Sequence, residues 1–124
     1  MRIFETRSFC RFAMKNGLSR GDLADAVRRL ETGLVDADLG SGLFKQRVAR
    51  RGQGRSGGFR VIVVFRVDDR SFFIHGFAKK DQDNIDAREL AAFRKLAGSL
   101  LALDLAELAA AVERGALIEV NDDE

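Results

Sequence analysis

The sequence predicts an α+β domain: an antiparallel sheet with helices packed on one side. Three observations lead there. Strand-like runs follow one another between Leu43 and Ala78 with only short connections, so consecutive strands pair antiparallel. Helical periodicity is confined to the stretches before and after those runs, so the helices form a layer of their own. The chain has 124 residues, 46% apolar and 32% charged, which suits one globular domain spanning residues 1–124.

Arg2 to Glu5 can form a short first strand. Thr6 or Ser8 then caps a helix with Phe9, Phe12 and Ala13 at i, i+3, i+4 spacing, stopped by Asn16-Gly17. Ser19-x-x-Asp22 resembles a capping box and opens a second helix with Leu23, Ala26, Val27 and Leu30 on one face. Residues 34–42 read as an acidic connector. A strand follows from Leu43 to Arg50, then a Gly-rich hairpin loop over residues 51–58. The next strand, Phe59 to Val67, alternates. Phe59, Val61, Val63, Phe65 and Val67 make one apolar face, and Arg60, Ile62, Val64 and Arg66 the other. Asp68-Asp69 turns the chain into a strand over 71–78, where Phe72 and Ile74 share one side and Phe73, His75 and Phe77 the other. A helix beginning at Asp83 or Asn84 carries Leu90, Phe93, Ala97 and Leu100 inward. Asp104 caps another helix, ended by Gly115, and residues 116–120 make an edge strand.

Composition excludes several classes. One cysteine, Cys10, rules out an internal disulfide and suits the reducing cytoplasm. No apolar run approaches the roughly 20 residues of a membrane span, and MRIFETRSF lacks the apolar stretch of a signal peptide. A single histidine, His75, cannot build a zinc site with a distant Cys10. The glycines of RGQGRSGG fit neither phosphate-loop pattern and join strand to strand, with no helix N-terminus to hold a pyrophosphate. No metal or cofactor is implied.

Charge is the positive signal. Residues 1–80 hold 17 basic and 8 acidic side chains, net +9, while residues 81–124 are net −7. Seven cations, Lys45, Arg47, Arg50, Arg51, Arg55, Arg60 and Arg66, lie between Asp38 and Asp68 with no acid among them. Lys45 and Arg47 are two apart on a strand and meet Arg60 across a hairpin; Lys79 and Lys80 follow the last strand of the set. Such a surface suits a phosphate, which arginine grips bidentately. A merely solvated basic face has the same composition. His75 suits general acid–base chemistry or a packed structural role equally.

The run FKQRVARRGQGRSGGFRVIVVFRVDDRSFFIHGFAKKDQDNI resembles the RelE/HigB-like toxins of bacterial type II toxin–antitoxin modules, on the pattern R-[IV]-A-x-x-G-x-G-[KR]-S-G-G-[FY]-R followed by F-x-K-x-x-x-x-N-I. The resemblance extends over nearly the whole chain. It implies a microbial-ribonuclease-like curved sheet, ribosome-dependent cleavage of mRNA, and neutralisation by a cognate helix-turn-helix antitoxin in a hetero-oligomer. It also implies that Lys45, Arg47, Arg60, Lys79 and Lys80 are the catalytic set; Arg50, Arg51, Arg55 and Arg66, from the same acid-free basic stretch, are expected to bind RNA. The tyrosine that many such nucleases use is absent, since the chain has no Tyr. A gyrase inhibitor on the same fold, or an RNA-binding module without cleavage, are the other readings.

Overall fold

The computed structural model describes residues 1–50, 54–79 and 84–120, without the side chains of Arg50 and residues 54–57. In chain order the elements are β1 (Arg2–Thr6), α1 (Arg7–Asn16), α2 (Arg20–Glu31), β2 (Ala37–Gly40), β3 (Leu43–Arg50), β4 (Gly54–Arg66), β5 (Arg70–Ala78), α3 (Ala87–Leu101), α4 (Leu105–Glu113) and β6 (Leu117–Val120). The six strands form one open sheet in the order β2-β3-β4-β5-β1-β6. It is mixed: β1 runs parallel to β5, and the other neighbouring pairs are antiparallel. The α+β class and the antiparallel centre of the sheet are those the sequence predicts.

Local chemistry explains the helix starts. Thr6 accepts a hydrogen bond from the Phe9 N–H and starts α1. Ser19 and Asp22 form the expected capping box of α2, and Asp104 with Glu107 forms that of α4. For α3 the cap is Asp86, with Glu89 as its reciprocal partner, two or three residues later than the sequence suggested. Gly17, at φ +70°, turns the chain out of α1, a conformation that costs glycine nothing.

Two apolar clusters hold the sheet, and alternation along β4 separates them. Phe59, Val61, Val63 and Phe65 pack with Phe9 and Ala13 of α1 and with Leu23, Ala26, Val27 and Leu30 of α2. The alternate residues Ile62 and Val64 pack with Leu43, Phe72, Ala97 and Leu100 of α3, and Leu108 and Ala111 of α4. Ile62 and Val64 are therefore as buried as the valines of the other face. α1 lies so close on β5 that a Cβ added at Gly76 would sit 2.3 Å from the Phe12 ring, so this position has room only for glycine.

Three details differ from the sequence expectation. β2 occupies the acidic connector, a four-residue strand of which three residues pair with β3 and which no strand composition announces. β4 begins at Gly54 rather than Phe59, because Gly54 already pairs with Arg50 and the supposed loop continues the hairpin. Val67 lies past the end of β4 and is 70% exposed, outside the core to which alternation assigned it.

Candidate functional site

Register brings three of the predicted cations together. Arg47 of β3 stands opposite Arg60 of β4, and Lys45 stands opposite Ile62, two residues along. Opposite residues on paired strands share a face, so Lys45, Arg47 and Arg60 point to the α3 side, with Cβ atoms of facing residues about 5 Å apart. Lys79 joins from β5. Its N–H donates to the Gly58 carbonyl at 3.5 Å, which sets it beside the first residues of this part of β4.

Each cation is held differently. Arg60 is only 8% exposed; burial, then the charge of Arg47, push its guanidinium pKa down, and Asp36 pulls it back up. An arginine keeps its proton under such shifts. Lys45 is half-buried and donates from Nζ to Asn84 Oδ1 at 3.1 Å. Arg47 has an exposed side chain on a tethered backbone. Its N–H donates to Asp36 Oδ2 at 2.6 Å, and its carbonyl accepts from Arg29 Nη2. Arg29 also pairs with Asp36 at 3.5 Å. β2 ends its pairing at Lys45, so Arg29 and Asp36 supply the partners that a longer β2 would have given.

Beneath this row lies Gln46, fully buried among apolar neighbours. Its Oε1 accepts from the Asp36 N–H at 2.7 Å, and its Nε2 donates to the carbonyls of Leu34 at 3.1 Å and Ala26 at 3.4 Å. The amide thus ties α2 and the connector to β3. Gln46→Ala is expected to lower unfolding free energy by about 1–3 kcal/mol, because buried backbone groups lose their partner. Chemical denaturation with matched m-values checks this. The residue was legible: in LFKQRV it has the parity of Phe44 and Val48, an uncharged polar side chain on the core side.

His75 was placed on the wrong side by alternation. A bulge between Ile62 and Val63 makes Ile62 face His75 while Val63 faces Phe73, so Ile74 is the extra residue. His75 accordingly lies on the face of Lys45 and Arg60, its ring 5.0 Å from that of Phe93 and 6.0 Å from that of Phe77. Its Nε2 is buried without a hydrogen-bond partner among the described residues. Burial lowers its pKa and the carboxylate of Glu89 raises it, with burial the larger effect. A histidine pKa lower in the folded than in the unfolded chain gives stability that is full above about 6.5 and falls as pH drops below that value. His75→Gln is therefore expected to flatten the acid side of a plot of Tm against pH between 5 and 7.5, relative to the wild-type chain.

The remaining predicted residues do not join this row. Arg66 lies at the other end of β4, roughly 20 Å from Arg60 at strand rise. It is engaged there by Asp69 at 3.1 Å and by the Leu101 carbonyl at 2.7 Å. The structure thus sets Arg66 apart from Lys45, Arg47 and Arg60. Arg51 and Lys80 lie outside the described residues. Arg50 and Arg55 have described backbone in the β3–β4 hairpin, but their side chains are outside the description. Among the described residues no cluster of three or more His, Cys, Asp or Glu side chains offers a metal site, and no helix is long and apolar enough to cross a membrane.

The family described as the RelE toxin of the RelE/RelB toxin–antitoxin system matches residues 1–120. The chain belongs to the RelE toxin family. Membership makes it the toxin of a toxin–antitoxin system, with an antitoxin as partner, in a family whose members generally inhibit translation and are generally endoribonucleases. No curated protein matches the chain.

Proposed function

We propose that this RelE-family toxin is a ribosome-dependent, metal-independent mRNA endonuclease acting in the cytoplasm. The observation that carries the reading is the cross-strand pair Arg47–Arg60, with Lys45 on the same face. Two guanidinium groups side by side repel each other, and a phosphodiester placed between them removes that cost and gains bidentate hydrogen bonds.

The chemistry follows from RNA itself. The 2′-OH loses its proton and its oxygen attacks the adjacent phosphorus; the P–O5′ bond breaks, and the departing 5′ oxygen takes up a proton. Arg60, Arg47 and Lys45 meet the charge that grows on the phosphoryl oxygens, and fixed cations in a partly desolvated site act strongly there. Lys79, just past β5, closes the site, and Lys80 is the fifth cation that the resemblance assigns to it. His75, its pKa lowered by burial, stands in the same cross-strand row as Lys45 and is a candidate base or acid. The cognate antitoxin, of helix-turn-helix type, covers the basic face in the inactive complex.

The test is incubation of antitoxin-free protein with ribosomes carrying a defined mRNA, read by primer extension. Cleavage only in the presence of ribosomes supports the proposal. Intact mRNA together with inhibited DNA supercoiling would move the chain to the gyrase-directed reading.

A further inference from the structure

A second concentration of positive charge lies outside the site just described. Thr6, Arg7, Ser8, Arg11, Arg114 and Ala116 line a shallow cavity of about 690 Å3. Among the described residues no carboxylate lines it. Arg7, Arg11 and Arg114 form no ion pair among the described residues. They come from two separate parts of the chain: Arg7 and Arg11 from successive turns of α1, and Arg114 from the end of α4. Arg7 and Arg11, four apart on one helix, are a like-charge pair that disfavours the helix unless an anion lies between them. Ser8 Oγ sits 3.3 Å from Thr6 Oγ1 at the same rim and adds a hydroxyl donor.

The position of this cavity relative to the cation row is set by register. Glu5 pairs with Phe73 in the parallel β1–β5 ladder, so the next residue, Thr6, lies level with Ile74 and His75. His75 pairs with Ile62, and Ile62 with Lys45. The cavity and the cation row therefore occupy the same end of the sheet. β1 is two strand spacings from Arg60 on β4 and three from Lys45 and Arg47 on β3, roughly 10–14 Å, with Lys79 just past the end of the strand between them.

We infer that Arg7, Arg11 and Arg114 form a second phosphate subsite, which grips the backbone of single-stranded RNA a few nucleotides from the bond held at Lys45, Arg47 and Arg60. The inference rests on the nucleic-acid reading of the first site but has its own readout. Binding that neutralises phosphates releases counterions, so log affinity falls with log salt at about 0.7 per phosphate on a single strand. The cation row and the subsite contribute to that slope separately.

The test uses the full chain and a fluorescently labelled single-stranded oligoribonucleotide, read by anisotropy between 50 and 200 mM salt. The variant Arg7→Gln/Arg11→Gln/Arg114→Gln is expected to bind about tenfold more weakly and to lose about 0.7 from the slope, for the one phosphate the subsite holds. Arg114 caps α4, so the double variant Arg7→Gln/Arg11→Gln, which leaves that helix end intact, gives a second measurement, in which affinity and slope are expected to fall in the same direction. An unchanged affinity and slope in the double variant overturns the inference. So does an unchanged RNA slope accompanied by weaker antitoxin binding, which would make the cavity a protein-docking surface. If the wild-type chain cleaves no mRNA, the nuclease proposal fails while the slope measurement still decides the subsite.

Discussion

Arg60→Met is expected to cut mRNA cleavage by about 10²–10³-fold, the usual cost of removing one fixed donor to a developing oxyanion, while the protein stays folded. Methionine is the informative replacement. Reading β4 as core-face and polar-face residues suggests that Arg60→Ala is harmless to the fold, but Arg60 is 8% exposed. Truncation to alanine would leave a void beside Phe77, its partner across the ladder, and mix lost packing with lost charge. Methionine keeps the apolar stem and deletes the guanidinium. Lys45→Ala is expected to lower cleavage as well, with a smaller effect on stability because its side chain is only half-buried. Cleavage rates on programmed ribosomes, beside Tm values for each variant, check both. Wild-type rates in both variants would remove the cation row from the mechanism.

Val63→Asp is expected to abolish folding. Val63 is fully buried in β4, between β3 and β5, within the cluster made with α1 and α2. A carboxylate there has no partner and costs about 4–5 kcal/mol or more, comparable to the whole stability of a small domain, about 5–15 kcal/mol. Insoluble expression and loss of the cooperative thermal transition are the expected observations. Ile62→Asp is expected to behave the same way, although Ile62 shares its face with Arg60. That face is itself a core next to the cation row, closed by α3 and α4. A soluble, cooperatively folding Val63→Asp protein would contradict the assignment of these faces.

The elements with strong periodicity or a capping signature could be read from the chain. The α2 capping box, the Thr6 and Asp104 caps and the bounds of β3 all lie where local chemistry puts them, because the deciding contacts are within four residues. What escaped depended on distant partners. β2 has the composition of a connector and is a strand only because β3 offers an unpaired edge. His75 changes side because of a bulge that no residue type near Ile74 advertises. In the candidate site, the convergence of Lys45, Arg47 and Arg60 was legible from strand parity and hairpin pairing. The departure of Arg66 from that group was not, since its acceptor, the Leu101 carbonyl, belongs to a helix 35 residues further on. In the second cavity α1 sets Arg7 beside Arg11, but Arg114 is about a hundred residues further on, and only the β1–β6 pairing brings it to them.

That pairing has a consequence for how the molecule comes into being. β1 is synthesised well before both of its neighbours: β5 at Arg70–Ala78 and β6 at Leu117–Val120. Ile3 meets Val120, and Arg2 grips Glu119 through two hydrogen bonds of 2.9 Å. Contacts between such remote parts of a chain form slowly, because loop closure must precede any gain from them. The β3–β4–β5 meander, by contrast, consists of neighbours in sequence and can form as it emerges. The cation row on β3 and β4 is thus laid down early, while the cavity holding Arg7, Arg11 and Arg114 is completed only when residues 114–120 arrive. During synthesis the protein passes through a stage with one of its two cationic sites assembled and the other still waiting for the last strand.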